Sequence, residues 1–161
     1  MMKIVEILVV VFSLTSCSSY YDTIPLSRVS EERKNVAQNF AQTIFTKCQN
    51  KDYSEIEGFN ISKRFQKYIV TDSLKRNCDW IEKKFGANIG IDHLASVRTA
   101  KRPSDFLDVF SFELKSDKAT KPVYLHLGLY RDKNFVELPY YFSSNENYFL
   151  AMWKKYCKKK K

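Results

Sequence analysis

The chain has 161 residues, 44% of them hydrophobic, with only four glycines and four prolines. This composition fits one globular domain with a single core and excludes a disordered or low-complexity chain. Lysine and arginine total 27 against 18 acidic residues, a formal net charge of +9. Such a charge favours acidic partners, but most of the basic residues are scattered along the chain, so nucleic-acid binding is not expected.

Residues 1–16, MMKIVEILVVVFSLTS, have the three-part layout of a secretory signal peptide. A cation at Lys3 precedes an apolar run from Ile7 to Phe12, and small residues follow. The run is far shorter than the roughly 20 residues that cross a hydrocarbon core. A permanent membrane helix is therefore not expected here.

The segment Leu14-Thr15-Ser16-Cys17 resembles the lipobox of bacterial lipoproteins, in which a cysteine is lipidated before cleavage. The resemblance implies a mature chain that begins at a lipidated Cys17 and is held stably on a membrane, because two acyl chains anchor where one binds reversibly. Serines rather than an aspartate follow the cysteine, which by resemblance to enteric lipoproteins indicates the periplasmic face of the outer membrane. An ordinary cleavable signal and an uncleaved amphipathic start are the alternatives.

Residues 17–29 are expected to be an irregular tether, because they show no sustained periodicity and contain Pro25. A helix is predicted from Ser30, whose side chain can cap it, to about Asn50. Acidic residues occupy its first turn, where negative charge is favourable. Its apolar stripe, spaced by three and four residues, consists of Val36, Ala37, Phe40, Ala41, Ile44 and Cys48.

Two further helices are predicted before residue 86. The first is marked by Ile61, Phe65, Tyr68 and Ile69, with Asn60 or Ser62 as its cap. The second is marked by Leu74, Cys78, Ile81 and Phe85, with Thr71 or Asp72 as its cap. Gly86 is expected to end it.

After Gly86 the apolar period changes from 3.6 to 2, which predicts four strands at residues 93–101, 106–115, 122–131 and 135–142. A two-residue turn at 132–133 would pair Leu129 with Val136, and by extension Leu127 with Leu138, Leu125 with Tyr140 and Val123 with Phe142. One face of this hairpin is then wholly apolar, and a slip by one residue would reverse it. A last helix, capped by Ser144 or Asn145, precedes the basic tail at 158–161.

Helices followed by an antiparallel meander, with the longest apolar stripe on the first helix, resemble the NTF2-like (cystatin-like) α+β domains of many small bacterial lipoproteins. The segments VAQNFAQTIFTKCQNKDYSEI and VYLHLGLY…NFVELPYYF carry the resemblance. It implies N-terminal helices packed on a curved four-stranded antiparallel sheet, a cone to which this chain adds a C-terminal helix. Residues 30–157 would form this single domain.

Related NTF2-like enzymes line the cone with an acid and a histidine, so the resemblance makes Asp108 and His93 the candidates for catalysis. Each shares strand parity with apolar neighbours and could point into the interior, where burial makes a carboxylate a better general base. The alternative is that Asp108 lies at the open end of the sheet, paired with Arg131 or Lys133, and that His93 is a hydrogen-bonded boundary residue.

Three cysteines remain after lipidation, and an exported protein meets an oxidising compartment. If one bridge forms, Cys48–Cys78 is favoured, because both residues lie on predicted inner helix faces. A bridge from either to Cys157 is the rival, and three buried thiols are the alternative. His93 and His126 are the only histidines, and neither has a second ligand three or four residues away, so no metal or cofactor is expected.

The sequence contains no nucleophile elbow and no glycine-rich phosphate loop. We therefore expect a non-catalytic envelope lipoprotein that binds a small ligand or another envelope protein through the concave side of its sheet. The polar, aromatic face of the last two strands supplies the candidate contacts Tyr124, His126, Tyr130 and Tyr141. The alternatives are an enzyme acting in the cone and an inhibitor or immunity-type protein whose basic surface binds an acidic domain.

Overall fold

A computed structural model of the protein describes residues 21–100, 107–131 and 135–157. This part of the chain has an α+β fold with five strands and four α-helices. The strands are β1 (Tyr21–Ile24), β2 (Gly90–Ala100), β3 (Leu107–Lys115), β4 (Val123–Tyr130) and β5 (Val136–Ser143). The helices are α1 (Glu31–Gln49), α2 (Lys63–Gln66), α3 (Thr71–Phe85) and α4 (Tyr148–Cys157).

The predicted signal peptide, the predicted lipidation site Cys17 and the basic tail at 158–161 lie outside the described residues. Within the three described ranges, no helix combines the length and the apolar composition that crossing a bilayer requires.

The sheet is a meander in the order β1-β2-β3-β4-β5, and all neighbours are antiparallel. The four predicted strands are confirmed as β2 to β5. The prediction of a four-stranded sheet was wrong, because Tyr21–Ile24 pairs with residues 97–100 as a fifth, edge strand. Four residues followed by Pro25 are too few for their alternation to be visible in the sequence. The irregular tether predicted for 17–29 is therefore wrong over β1.

One face of the sheet is covered by α1, α2 and α3 and forms the hydrophobic core. The predicted stripe of α1 is buried at Ala37, Phe40, Ala41 and Ile44. The strand residues that pack in this core include Val97, Phe110, Phe112, Leu125, Leu127 and Leu129. Phe40, Phe110 and Leu127 have no exposed surface, so side chains fill the space between α1 and the sheet.

The hairpin of β4 and β5 keeps the predicted pairing of Leu129 with Val136 but not the pairings further from the turn. Two single-residue register shifts make Leu125 pair with Phe142 instead of Tyr140. The shift further from the turn lies between Leu138 and Tyr141 and includes Pro139. Proline has no backbone N–H and cannot donate a hydrogen bond to the neighbouring strand. One shift moves the side chains of β5 to the opposite face of the sheet, and the second moves them back. The inner face of the hairpin therefore stays apolar. The turn at 132–134 lies outside the described residues.

The predicted caps Ser30 and Ser62 are confirmed, since each hydroxyl accepts a hydrogen bond from the backbone N–H three residues later. Helix α3 begins after Val70 without a side-chain cap, so its predicted caps were wrong. Helix α4 is capped by Asn147, whose Oδ1 accepts from the N–H groups of the second and third helical residues. The predicted cap Asn145 instead accepts from the N–H of Asn147 in the preceding turn.

Helix α4 packs on the opposite face of the sheet, so the described chain has three layers. The ring of Tyr148 lies 5.5 Å from that of His126 and 5.8 Å from that of Tyr141. Phe149 stacks on Tyr21 of β1 with ring centroids 3.7 Å apart. The polar and aromatic face predicted for β4 and β5 is therefore covered in part by this helix, at His126 and Tyr141.

A disulfide joins Cys48 near the end of α1 to Cys78 in α3. This is the pairing that the sequence analysis favoured, and it ties two helices of the same layer across 30 residues of chain. Cys157, the rival partner, is the last residue of α4, and its side chain lies outside the described part of the structure.

Candidate functional site

Asp108 lies on the inner face of β3 with only 4% of its surface exposed. Arg33 Nη2 is 3.2 Å from its Oδ2, and Arg131 Nε is 3.3 Å from its Oδ1. Arg33 also donates to the backbone carbonyls of Leu129 and Tyr130. The carboxylate thus belongs to an ion-pair cluster that closes one end of the sheet against α1. The alternative partner Lys133 lies outside the described residues.

His93 lies on the outer face of the sheet, and its side chain is 56% exposed. Its Nδ1 is 3.0 Å from Asp92 Oδ2, and its strand partner Glu113 is five residues from Asp108 along β3. His93 does not point inward, because β2 has a register shift between Leu94 and Ser96 that reverses the alternation, and it matches the alternative of a hydrogen-bonded boundary residue. Asp108 and His93 are therefore on opposite faces, about 17 Å apart along the strand, and form no common site.

His126 is wholly buried beneath α4, in a polar network that the sequence did not predict. Its Nδ1 is 2.9 Å from Ser111 Oγ and its Nε2 is 2.8 Å from Ser143 Oγ. Ser143 donates its own hydrogen to the carbonyl of Asn145, so it accepts from Nε2–H, and Ser111 donates to Nδ1. Burial lowers the pKa of His126 to about 4, so the ring is neutral at pH 7.

A serine beside a histidine can act as a nucleophile when the ring accepts its proton. Here neither Ser111 nor His126 has exposed surface, and the lowered pKa makes the imidazole a weak base. The network instead satisfies the polar groups that α4 covers.

The other candidate contacts, Tyr124, Tyr130 and Tyr141, are partly buried on the same face. Burial, together with the Glu113 carboxylate, raises the pKa of Tyr124. These tyrosines and His126 do not form one open surface, because Tyr148 of α4 packs against His126 and Tyr141. Tyr141 borders an open groove instead.

This groove, which we call the aromatic groove, lies between α3, β5 and α4 and has a volume of about 530 Å³. Its lining residues are Asn77, Trp80, Lys84, Tyr140, Tyr141, Phe142 and Lys155. Trp80 is 44% exposed, and its ring is 5.6 Å from that of Phe85 and 5.5 Å from that of Phe142. An exposed indole held in place by other rings offers a rigid apolar contact surface, and tryptophan is enriched where proteins bind partners.

Two lysines add positive charge to the aromatic groove. Lys84 Nζ lies 4.8 Å from the centroid of the Trp80 ring, and Lys155 Nζ lies 5.0 Å from that of Tyr141. Both lysines are exposed, so their stems cover the rings while the ammonium groups remain in contact with solvent. The groove therefore suits a ligand that combines an anionic group with an apolar or ring-shaped part.

The Tyr140 hydroxyl is a buried polar group in the lining of the aromatic groove. It has no well-formed hydrogen bond within the described residues. Burial raises the pKa of Tyr140, and the neighbouring Asn77 side chain opposes that shift only in part. A buried hydroxyl without a good partner costs about 1–3 kcal/mol, which a polar atom of a bound ligand could recover.

Tyr141 was a predicted contact residue, but the contribution of α3 to this groove was not predicted. Asn77, Trp80 and Lys84 are three and four residues apart, so they share a helix face beside the buried stripe. This spacing is the sequence feature from which their common helix face could have been predicted. Their meeting with β5 and α4 could not be derived from it.

In the ranges that the structure describes, no three His, Cys, Asp or Glu side chains converge in an arrangement that could hold a metal ion. Comparisons with protein-family models, with curated proteins and with solved structures give no match for this chain.

Proposed function

We propose that this protein is a bacterial envelope lipoprotein, anchored through a lipid on Cys17 to the periplasmic face of the outer membrane. Its α+β domain, which we assign to the NTF2-like type, is a non-catalytic module that binds a ligand or an envelope protein. The observation that carries the binding role is the aromatic groove, where exposed Trp80 and two lysines surround an open volume of about 530 Å³.

The NTF2-like assignment is supported by the long helix α1, which packs with the inner face of an antiparallel meander. In this chain phenylalanine and leucine side chains fill the space under that helix. A filled interior favours a binding site on the outside of the domain, and the aromatic groove is such a site.

The non-catalytic role is supported by the positions of the two candidates for catalysis. The carboxylate of Asp108 forms ion pairs with two arginines, and His93 lies on the other face of the sheet. General acid–base catalysis needs groups within hydrogen-bond reach of one substrate. These two residues do not meet that condition.

The anchor is tested by producing the full chain in a bacterial host with radiolabelled palmitate. We expect label on the wild-type protein, none on Cys17→Ser, and accumulation of the unprocessed precursor when globomycin blocks the lipoprotein signal peptidase. An unlabelled wild-type protein would contradict the anchor.

The binding role is tested by complementing a deletion strain with groove variants. Trp80→Ala should fail to restore the phenotypes of the deletion, while Tyr68→Ala should restore them. Tyr68 is a matched control, since its side chain is 43% exposed and its ring does not line the groove. Equal thermal stability of the two variants excludes misfolding as the cause. Full complementation by Trp80→Ala would contradict a binding role for the groove.

A further inference from the structure

The position of β1 determines how far the domain can lie from its lipid. Tyr21 pairs with Ala100, and its ring stacks on Phe149 of α4. Only three residues separate Tyr21 from Cys17, and four Cα–Cα steps span at most about 14 Å. A lipid on Cys17 would therefore enter the membrane close to the face of the sheet that α4 covers.

The exposed side of α4 has the chemistry of a membrane-binding surface. Leu150 is 49% exposed, and Lys154 lies one turn later on the same helix face. Lys154 and Lys155 are both exposed. From residue 147 to the C-terminus the sequence contains six lysines and no acidic residue.

Acidic residues near α4 do not cancel this charge. Glu146 precedes the helix, and its Oε1 is 3.8 Å from Arg98 Nη2. Asp22 follows Tyr21 in β1, so the strand alternation directs it to the face opposite α4. The exposed side of α4 itself therefore remains basic, and it carries the exposed apolar residue Leu150 one turn before Lys154.

We propose that the exposed side of α4 docks on the anionic headgroups of the membrane that carries the anchor. The orientation rests on the lipid of the proposed function, but the surface has its own affinity for anionic lipid. Lysines near an anionic bilayer add to binding, and an exposed leucine can insert at the interface. Lipid and basic helix then act together and hold the domain flat against the bilayer.

The test uses residues 18–161, which carry no lipid. Every buried residue of the described structure lies between Val29 and Ala151, so this fragment keeps the whole core. Its sedimentation is measured with vesicles of phosphatidylcholine alone and with phosphatidylglycerol added. We expect binding only to the anionic vesicles and a decrease with salt, because exposed charges are screened.

Variants then locate the surface. Lys154→Gln combined with Lys155→Gln should weaken binding about 25-fold, at about fivefold per lysine. Lys63→Gln combined with Lys75→Gln removes the same charge from the helices on the other side of the sheet and should leave binding unchanged. Equal losses in the two pairs, or no binding to anionic vesicles, would overturn the proposal.

The outcome is separable from that of the proposed function. Vesicle binding by residues 18–161 without palmitate labelling of the full chain would support the basic surface and refute the anchor. Labelling without vesicle binding would refute the basic surface and leave the anchor standing. Trp80→Ala should leave vesicle binding unchanged, since Trp80 lies on α3 and only Lys155 is shared between the aromatic groove and the basic surface of α4.

Discussion

Arg33 in α1 and Asp108 in β3 are 75 residues apart in the chain, and their side chains form an ion pair of 3.2 Å at one end of the sheet. Both side chains are largely buried, with exposed fractions of 13% and 6%. Arg131 approaches the same carboxylate from the other side. The pair joins the first helix to the sheet, and the contact with Arg131 gives Asp108 the ion-paired, structural role that the sequence offered as the alternative to catalysis.

Asp108→Asn should therefore destabilise the fold. The change removes the negative charge that two guanidinium groups share, and breaking a buried ion pair costs about 3 kcal/mol or more. Urea unfolding of residues 18–161 measures the loss. Asp79→Asn, at an exposed position of α3, should change the free energy of unfolding by less than about 0.5 kcal/mol. An Asp108→Asn protein as stable as wild type would contradict this role and favour the catalytic alternative.

The buried His126 should make stability depend on pH. Its pKa is about 4 in the folded protein and 6.5 in the unfolded chain, which therefore binds a proton first as the pH falls. The stability that the neutral ring contributes is complete above pH 6.5 and is lost as the pH falls towards 4, a change of about 3 kcal/mol. Urea unfolding between pH 7 and pH 4 measures it. His126→Gln should flatten this dependence, and an identical slope in both proteins would show that another group is responsible.

The disulfide between Cys48 and Cys78 should leave one thiol, that of Cys157, in residues 18–161 purified under oxidising conditions. Alkylation of the denatured, unreduced protein followed by intact mass measurement counts the thiols, and a count of three would rule out the bridge. The double variant Cys48→Ser, Cys78→Ser should lose about 3–4 kcal/mol, because the bridge closes a loop across 30 residues in the unfolded chain.

Gly86, which ends α3, should not tolerate a side chain. Its φ is +96°, and an added Cβ would lie 3.0 Å from the Cβ of Asp117. Gly86→Ala should cost on the order of 1–3 kcal/mol, from backbone strain and this contact. Gly90→Ala is the matched control, because its Cβ would meet nothing within 4 Å and its backbone is not in the left-handed region. Thermal unfolding of both variants compares them, and equal melting temperatures would contradict the prediction.

Features that depend on neighbours in the chain could be predicted from sequence. The stripe of α1, its Ser30 cap and the alternation of β2 to β5 reflect residues a few positions apart. The pairing of Cys48 with Cys78 also followed from helix faces. In contrast, the register of β5 depended on two single-residue shifts, one of which includes Pro139, and the orientation of His93 depended on a shift in β2. Such local irregularities move residues to another partner or face without changing the apolar pattern.

The sequence by itself determined the α+β class and the order of the helices and strands from residue 30 onward, and the proposed anchor rests on its resemblance to a lipobox at residues 14–17. Only the tertiary structure decided that Tyr21–Ile24 joins the sheet, that α4 covers its outer face, and that Trp80 of α3 meets Tyr141 and Lys155 in one groove. Local periodicity specifies which face of an element is apolar, because neighbouring residues define that face. It does not specify which distant element covers the other face, since that choice depends on packing between residues far apart in the chain.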